Sequence, residues 1–303
     1  MAKSRSVRFT LTDIMVTQQR GKMKPMRTNQ PKIVLCELGE TTIEGLQSYS
    51  PFCLKVHRAL TLTGLAYTSR HGQPGSFRRL NPAAQVPVLL VDDEPIADST
   101  RILARIEQLS LETGGPSILP ADPRARAEAW LWEDYADRAI NGYLVAARWA
   151  DPRNWPLVRE AYFKGAPWFV RALVAPRIRS QVLAALVARD VLRAGEKALW
   201  DDYRRCLDHL ELRAPLEGFW VSPEPSVADI ALFAQLQSLR TPLTAAQARE
   251  IVLRPALTDW LDRVQALTPA TRVEEGATDG LTAPHGHDMT RACRSRMPTH
   301  AQA

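Results

Sequence analysis

The sequence predicts a two-part protein, in which a small α/β domain is followed by an all-helical domain. Strand-like runs alternate with helical patterns in residues 32–109, whereas beyond residue 122 strand patterns nearly vanish and helical periodicity continues. At 303 residues the chain is long enough to bury two hydrophobic cores. We therefore predict the following organisation: a disordered leader at 1–31, the α/β domain at 32–109, a Gly/Pro-rich linker at 110–122, the helical domain at 123–268 and a disordered tail at 269–303.

The α/β domain begins with a strand, a helix and a second strand. The apolar run 32–38 ends at Gly39 and predicts a buried strand. Ser50 suits the N-cap of a helix, because Pro51 then occupies the first helical position, where its missing N–H costs nothing. Gly64 fits the residue after the helix, and residues 65–70 predict a second strand. A right-handed parallel crossover is the expected connection.

The first helix is predicted to be amphipathic. Its apolar positions recur at helical spacing: Phe52, Val56, Ala59, Leu60 and Thr63. Lys55 and Arg58 are expected to point away from this face, and His57 is expected to be a solvated surface residue. The N–H groups and the dipole at the start of this helix would stabilise an anion held near Ser50 or Cys53.

A hairpin and a second helix complete the α/β domain. Residues 71–82 are interrupted by glycine and proline and predict a loop or a short irregular helix. Residues 85–91 predict a strand, with Pro87 at its start because proline cannot donate within a ladder. A turn at 92–94 leads to a short antiparallel strand, after which Asp98 and Ser99 cap a helix that extends to Leu109.

The second domain is predicted to be helical throughout. Its helical stretches are expected at 123–149, 155–174, 179–213, 226–239, 244–253 and 256–267. Ser226 and Asp229 have the spacing of a capping box, with Asp in place of the usual Glu.

Composition excludes several classes of function. The net charge is +6, but residues 1–32 alone carry +7, so the remainder is near neutral and a nucleic-acid surface is not expected. No apolar run is long enough for a signal peptide or a membrane span. The four cysteines show no CxxC spacing and predict reduced thiols in a cytoplasmic protein. His285 and His287 lack a third ligand, so no metal site is expected.

Three motifs in this order resemble those of the cytosolic glutathione S-transferases, of the serine and cysteine type. The first is Ser50-Pro51-Phe52-Cys53, which resembles the family's active-site turn. The second is the segment from Asn81-Pro82 to Val86-Pro87-Val88-Leu89, which resembles a family segment whose proline is cis. The third is Asp98-Ser99 followed by Ile102, and the capping box in the helical domain adds to the likeness.

The resemblance implies a thioredoxin-like N-terminal domain and an all-α C-terminal domain. It implies glutathione as co-substrate, a small apolar electrophile as second substrate, and a homodimer, with no metal. Ser50 and Cys53 take the catalytic positions, and the remaining site positions are Phe52, Gln85, Val86, Pro87, Asp98 and Ser99. In this scheme the backbone of Val86 pairs with the tripeptide, Asp98 accepts from its amino group, and Ser99 holds its α-carboxylate.

Several alternatives remain open from the sequence. Ser50 is also explained as a plain N-cap, Asp98-Ser99 as an ordinary helix cap, and Cys53 as an inert packed thiol. Trp130, Trp132, Trp149, Trp155 and Trp168 are expected to be core residues, although one or two of them could line a pocket for the electrophile. Besides conjugation, the chain could transfer thiols through Cys53, or bind ligand without turnover.

Overall fold

The computed structural model describes residues 31–269, and the structural statements below concern this part of the chain. The predicted leader and almost all of the predicted tail lie outside the described residues, as do His285, His287 and Cys293.

A four-stranded mixed sheet forms the first part of the fold. Its strands are β1 Ile33–Glu37, β2 Thr68–His71, β3 Val88–Val91 and β4 Glu94–Ala97. Their order across the sheet is β2-β1-β3-β4. β1 and β2 run parallel, whereas β3 is antiparallel to both β1 and β4, so the predicted parallel crossover is confirmed. The helices of this part are α1 Pro51–Thr63 and α2 Ser99–Glu112.

β2 and β3 each begin three residues later than predicted. β2 begins at Thr68 because Leu65, three residues earlier, is buried in the hydrophobic core just after the left-handed turn at Gly64. β3 begins at Val88, one residue after Pro87, which has no N–H to give to a neighbouring strand. The loop before it contains only a short 3₁₀ turn, Pro74–Phe77.

Eight helices follow in the described chain after residue 122. They are α3 Pro123–Tyr135, α4 Asn141–Trp149, α5 Trp155–Tyr162, α6 Ala175–Ala188, α7 Gly195–Arg213, α8 Val227–Leu239, α9 Ala245–Val252 and α10 Pro255–Leu267. No helix in this part of the chain combines the length and the hydropathy that a membrane crossing requires.

The long predicted helices are interrupted. A π-helical segment, Ala136–Ile140, separates α3 from α4. The helix predicted at 155–174 ends at Tyr162, close to Gly165, which has a φ of 75°. The helix predicted at 179–213 breaks after Ala188, where Asp190 and Gly195 adopt positive φ values of 61° and 85°. The last two breaks coincide with left-handed backbone positions that a continuous helix cannot accommodate, whereas the backbone that flanks the π-helical segment is right-handed.

One hydrophobic cluster connects the sheet with the helices. It includes Leu35 of β1, Val56 of α1 and Phe233 of α8, all with no exposed surface. α1 packs against both α2 and α8. The fold is therefore an α/β part of thioredoxin-like topology packed on helices, as the sequence predicts.

The prediction for the polar side of α1 is wrong. Lys55 and Arg58 are fully buried, and His57 is 3% exposed. The reason is that α1 is covered on the side away from the sheet by α8, so its polar side chains find partners inside the protein instead of water. Burial lowers the pKa of the Arg58 guanidinium to about 10.

Candidate active site

Ser50 stands at the N-cap of α1 and is partly exposed. Its hydroxyl oxygen accepts the N–H of Cys53 over 3.3 Å, and its carbonyl oxygen accepts the N–H of Leu54 over 2.9 Å. Its own N–H donates to the hydroxyl of the buried Ser48 over 3.3 Å. A serine hydroxyl both accepts and donates, so this group can cap the helix and still give its proton to an anion.

Cys53 lies one turn further into α1 and has no exposed surface. The pKa of its thiol is raised to about 12, chiefly by burial and also by the negative charge of Glu37. Hydrogen bonds from Ser50 and Ser48 act in the opposite direction but do not offset these two effects. The thiol is therefore protonated at neutral pH and closed to solvent, which is the environment of an inert cysteine. The structure places Cys53 beside Ser50 but opposes a reactive role for it.

Phe52, between these two residues, is half-buried. Its ring centroid lies 5.8 Å from Nζ of Lys55. This contact links the first turn of α1 to the buried lysine.

The segment before β3 leaves its backbone outside the sheet. The Val86–Pro87 peptide bond is cis, as the resemblance implies. Pairing of β3 with both neighbours begins at Val88, so Val86 is not part of either ladder. Val86 is half-buried, whereas Gln85 is exposed and its carbonyl oxygen accepts from the Asn81 amide over 2.9 Å.

Asp98 caps α2 with a positive φ of 80°. Its Oδ1 atom accepts the N–H groups of Thr100 and Arg101, each over 3.1 Å. Asp98 is exposed, and the adjacent Ser99 is 7% exposed at the start of the helix. Left-handed backbone at a residue other than glycine is uncommon and often marks a functional position.

The sheet register brings these positions to one edge of the sheet, the end at which β1 and β4 finish and β3 begins. Cys36 of β1 lies opposite Val88, and Val88 lies opposite Ala97 of β4. Val86 and Pro87 therefore precede this edge and Asp98 follows it. The chain leaving β1 at the same edge leads to Ser50, and a hydrogen bond from the backbone of Leu38 to the thiol of Cys53 connects α1 to it.

A polar network lies beneath this edge. Glu37, 1% exposed, accepts from Ser69 over 2.7 Å and lies 2.9 Å from Nε2 of His57, whose Nδ1 is 2.7 Å from the Tyr67 hydroxyl. Burial alone would raise the pKa of Glu37, but hydrogen bonds from His57, His71 and Ser69 lower it to about 2. His57 is thus a core residue that joins α1 to the sheet, contrary to the surface position predicted for it.

Three residues around Ser50 were not predicted as site residues from the sequence: Tyr49, Arg148 and Tyr162. Tyr49 is buried, and its carbonyl oxygen accepts from Nη1 of Arg148 over 2.5 Å and from the Tyr162 hydroxyl over 3.3 Å. A single charge in the apolar run 144–149 was the available signal for Arg148. No local sequence pattern predicts these two contacts, because Arg148 and Tyr162 are 99 and 113 positions from Tyr49.

An aromatic cluster surrounds this contact. The centroids of the Tyr49 and Tyr162 rings are 5.2 Å apart, and Tyr162 and Trp149 are 5.6 Å apart. Trp155 extends the cluster at 5.4 Å from Trp149. Trp168, by contrast, is 76% exposed, so its predicted core position is wrong. Trp130 and Trp132 are partly buried and pack on the main core.

Residues 31–269 contain no group of three or more His, Cys, Asp or Glu side chains arranged to hold a metal ion.

Family models match both parts of the chain. The model described as "Glutathione S-transferase, N-terminal domain" matches residues 48–113, which include Ser50, Val86 and Asp98. The model described as "Glutathione S-transferase, C-terminal domain" matches residues 181–263.

Curated relatives include proteins named glutathione S-transferase. Glutathione S-transferase U17 of Arabidopsis thaliana is 37% identical over 106 residues, which is 32% of this chain and 46% of the relative. The chain thus spans less than half the length of the first relatives it matches. Protein LigF of Sphingobium is 26% identical over 200 residues, covering 63% of this chain and 73% of LigF.

Solved structures show the same fold. A Tau class glutathione S-transferase from mango, Mangifera indica, superposes with a TM-score of 0.51 at 19% identity, covering 78% of this chain and 89% of that one. The β-etherase LigF from Sphingobium gives a TM-score of 0.52 at 23% identity, covering 78% and 95%. Since the N- and C-terminal family models match the α/β part and the helical part in order, the chain belongs to the glutathione S-transferase family.

Proposed function

We propose that the protein is a glutathione transferase in which the Ser50 hydroxyl donates a hydrogen bond to the sulfur of glutathione. The thiolate then attacks an apolar electrophile and displaces its leaving group or adds to it. The observation that carries this proposal is the position of Ser50, partly exposed at the amino end of α1 and at the same sheet edge as Val86 and Asp98. Ser50 is favoured over Cys53, whose buried thiol has a raised pKa.

A hydroxyl donor at a helix N-terminus can supply the free energy needed to lower the pKa of the glutathione thiol. A free thiol with a pKa of ~8.5 is only roughly 3% ionised at pH 7. Lowering that pKa by about two units requires ~2.7 kcal/mol of differential stabilisation. A hydrogen bond to a charged group contributes about 1.5–3 kcal/mol, and a helix N-terminus adds about 0.3–1 kcal/mol.

The rest of the tripeptide has matching partners. Val86 has its backbone outside the strand ladders, which suits pairing with the peptide backbone of glutathione. Oδ2 of the exposed Asp98 can accept the α-amino group while Oδ1 caps α2. The hydroxyl and N–H of Ser99 at the helix start suit the γ-glutamyl α-carboxylate. Phe52 and Gln85, with Pro87, complete the proposed contact set.

The aromatic cluster next to Ser50 is the proposed wall for the electrophile. Half-buried ring surface is offered by Tyr162, Trp149 and Trp155, which lie beside the buried Tyr49, the residue before Ser50. The similarity to LigF across both parts of the chain supports a second candidate, in which the electrophile is an ether and the thiolate displaces an oxygen leaving group. A homodimer and a cytoplasmic location belong to the same proposal.

Two rival functions keep the same fold. Thiol transfer through Cys53 requires that a thiol without exposed surface reach a substrate. It predicts a mixed disulfide with glutathione in mass spectra, absent from Cys53→Ser. A binding protein without turnover predicts no conjugation with any member of an electrophile panel.

The test measures glutathione binding by calorimetry and conjugation with aryl halides and aryl ethers, for wild type and Ser50→Ala. We expect the variant to bind glutathione within about threefold while kcat falls about 10- to 100-fold, the loss of one hydrogen bond to an anion. Cys53→Ala serves as the matched control and should keep kcat within about twofold. Parent-rate conjugation by Ser50→Ala would refute the proposal.

A further inference from the structure

Arg148 on α4 is a buried cation without an ionic partner. It is 2% exposed and forms no ion pair with a residue of the described chain. Nη1 donates to the carbonyl oxygen of Tyr49 over 2.5 Å and to the Tyr162 hydroxyl over 2.7 Å. Nη2 donates to the carbonyl oxygen of Ser238 over 2.8 Å. Every acceptor is neutral, so the positive charge is not cancelled locally.

This arrangement differs from that of another buried cation near the site. Lys55 on α1 contacts the carboxylates of Glu133 and Asp137 over 2.7 and 2.5 Å. Buried charges are usually paired in this way, because desolvation is costly. Arg58 on α1 is likewise buried with neutral acceptors, at Gly45, Gln265 and Thr268. Arg148 is distinguished from it by its contact with the peptide group that precedes Ser50.

The contact with Tyr49 acts directly on Ser50, because the Tyr49 carbonyl and the Ser50 N–H belong to one peptide group. Arg148 and Tyr162 hold its oxygen, and Ser48 accepts from its N–H. The orientation of the Ser50 Cα–Cβ bond depends on this peptide plane. The side chains of Arg148, Tyr162 and Ser48 thus fix the peptide group that orients the Ser50 hydroxyl.

We propose that Arg148 is a positioning residue for Ser50, which orients the hydroxyl through the 49–50 peptide and adds a positive charge beside the bound thiolate. The inference rests on the proposed function and deepens it, because it assigns part of the thiol activation to the helical half of the chain. The proton leaves the glutathione sulfur to solvent in this scheme.

The other titratable groups at this place do not substitute for Arg148. Tyr49 comes from the loop, Tyr162 from α5 and Cys53 from α1, and all three are neutral when protonated. Glu37 on β1 is negative and raises the pKa of Cys53, so it opposes an anion near the start of α1. The helix terminus and Arg148 supply the positive potential at this end of the helix.

Arg179 on α6 provides a matched control. Its guanidinium also donates to two backbone oxygens, those of Trp149 over 2.7 Å and Ala150 over 3.2 Å. It lies 5.0 Å from the Trp155 ring. It therefore resembles Arg148 in chemistry and in its aromatic neighbours, but it does not contact the 49–50 peptide.

The experiment titrates the thiol of bound glutathione by the ultraviolet absorbance of the thiolate, together with kcat and KM. For Arg148→Met we expect the pKa of the bound thiol to rise by about one unit, so that the thiolate fraction at pH 7 falls from about three quarters to about one quarter. KM for glutathione should stay within about twofold. Arg148→Lys keeps the charge and should restore most of the thiol pKa, whereas Arg179→Met should leave it near the parent value.

The outcomes separate the two proposals. If Arg148→Met folds and keeps the parent thiol pKa and kcat, the inference is wrong while the role of Ser50 stands. If Arg148→Met fails to fold, the pKa of the bound thiol in Arg148→Gln decides in the same way. If the wild-type protein does not lower the thiol pKa of glutathione at all, both proposals fall together.

Discussion

Nζ of Lys55 lies 2.7 Å from Oε1 of Glu133, and the two side chains come from opposite parts of the fold. Lys55 belongs to α1 beside the sheet, and Glu133 belongs to α3 of the helical part. The same lysine contacts Asp137 over 2.5 Å, and Thr100 at the start of α2 donates to Glu133 over 2.7 Å. Burial raises the pKa of Asp137 against the lowering effect of Lys55. The lysine thus neutralises buried carboxylates where the two parts meet.

Replacing Lys55 by Met should destabilise the protein by about 3–5 kcal/mol, because two buried carboxylates lose their cation. Urea unfolding followed by circular dichroism measures the change in free energy of unfolding. Lys197→Met is the matched control, since Lys197 pairs with Asp201 but its side chain is 92% exposed. That change should cost under about 1 kcal/mol. Equal effects of the two substitutions would contradict the structural role of Lys55.

Local patterns account for the part of the fold that the sequence predicts well. The capping box joins Ser226 and Asp229, which are three positions apart, and the N-caps Ser50 and Asp98 accept N–H groups two or three positions away. Such contacts depend on a few adjacent residues, so they can be predicted without tertiary information. The site positions on α1, before β3 and at α2 are of this kind.

Long-range contacts account for what the sequence does not predict. Lys55 meets Glu133 78 residues away, and Arg58 meets Thr268 210 residues away. The helical period of α1 correctly marks its apolar face, but it does not indicate that α8 covers the opposite face. Arg148 was missed for the same reason, because its partner Tyr49 is 99 residues away.

The Glu37 carboxylate makes stability depend on acid pH. Its folded pKa of about 2 lies below the ordinary value of 4.5, so its contribution is complete above about pH 4.5 and is lost as the pH falls toward 2. The shift corresponds to about 3 kcal/mol. Urea unfolding between about pH 5 and about pH 3 should therefore show a steeper loss of stability in wild type than in Glu37→Gln.

As a control, Glu217→Gln removes a negative charge from an exposed position. Its free energy of unfolding should fall with decreasing pH as steeply as that of the wild type. Parallel pH profiles for wild type and Glu37→Gln would argue against the low pKa of Glu37.

Cys53 should resist alkylation in the folded protein. Its thiol has no exposed surface and a pKa of about 12, so at pH 8 only about one molecule in 10,000 carries the thiolate. Iodoacetamide labelling read by peptide mass spectrometry should leave Cys53 unmodified in native buffer and modify it fully in urea. Rapid native labelling, or loss of conjugation on labelling of Cys53 alone, would restore this thiol as a candidate nucleophile.

Asp229 on α8 should be the most sensitive carboxylate of the helical part. Its Oδ1 accepts the Trp220 N–H over 2.8 Å and Nε1–H of Trp260 over 3.0 Å, and its Oδ2 accepts the N–H and hydroxyl of Ser226 over 2.9 and 3.0 Å. Asp229→Ala leaves these buried donors unpaired and should cost about 3 kcal/mol or more. Asp229→Asn offers one acceptor oxygen, so its stability should fall between those of wild type and Asp229→Ala. The control Asp259→Ala, at an exposed position on α10, should change stability by under about 0.5 kcal/mol.

Urea unfolding gives the free energies of unfolding of these variants, and near-ultraviolet circular dichroism reports the packing of Trp220 and Trp260. If Asp229→Ala unfolds at the wild-type urea concentration with an unchanged tryptophan spectrum, the carboxylate does not hold the backbone at Trp220, α8 and α10 together.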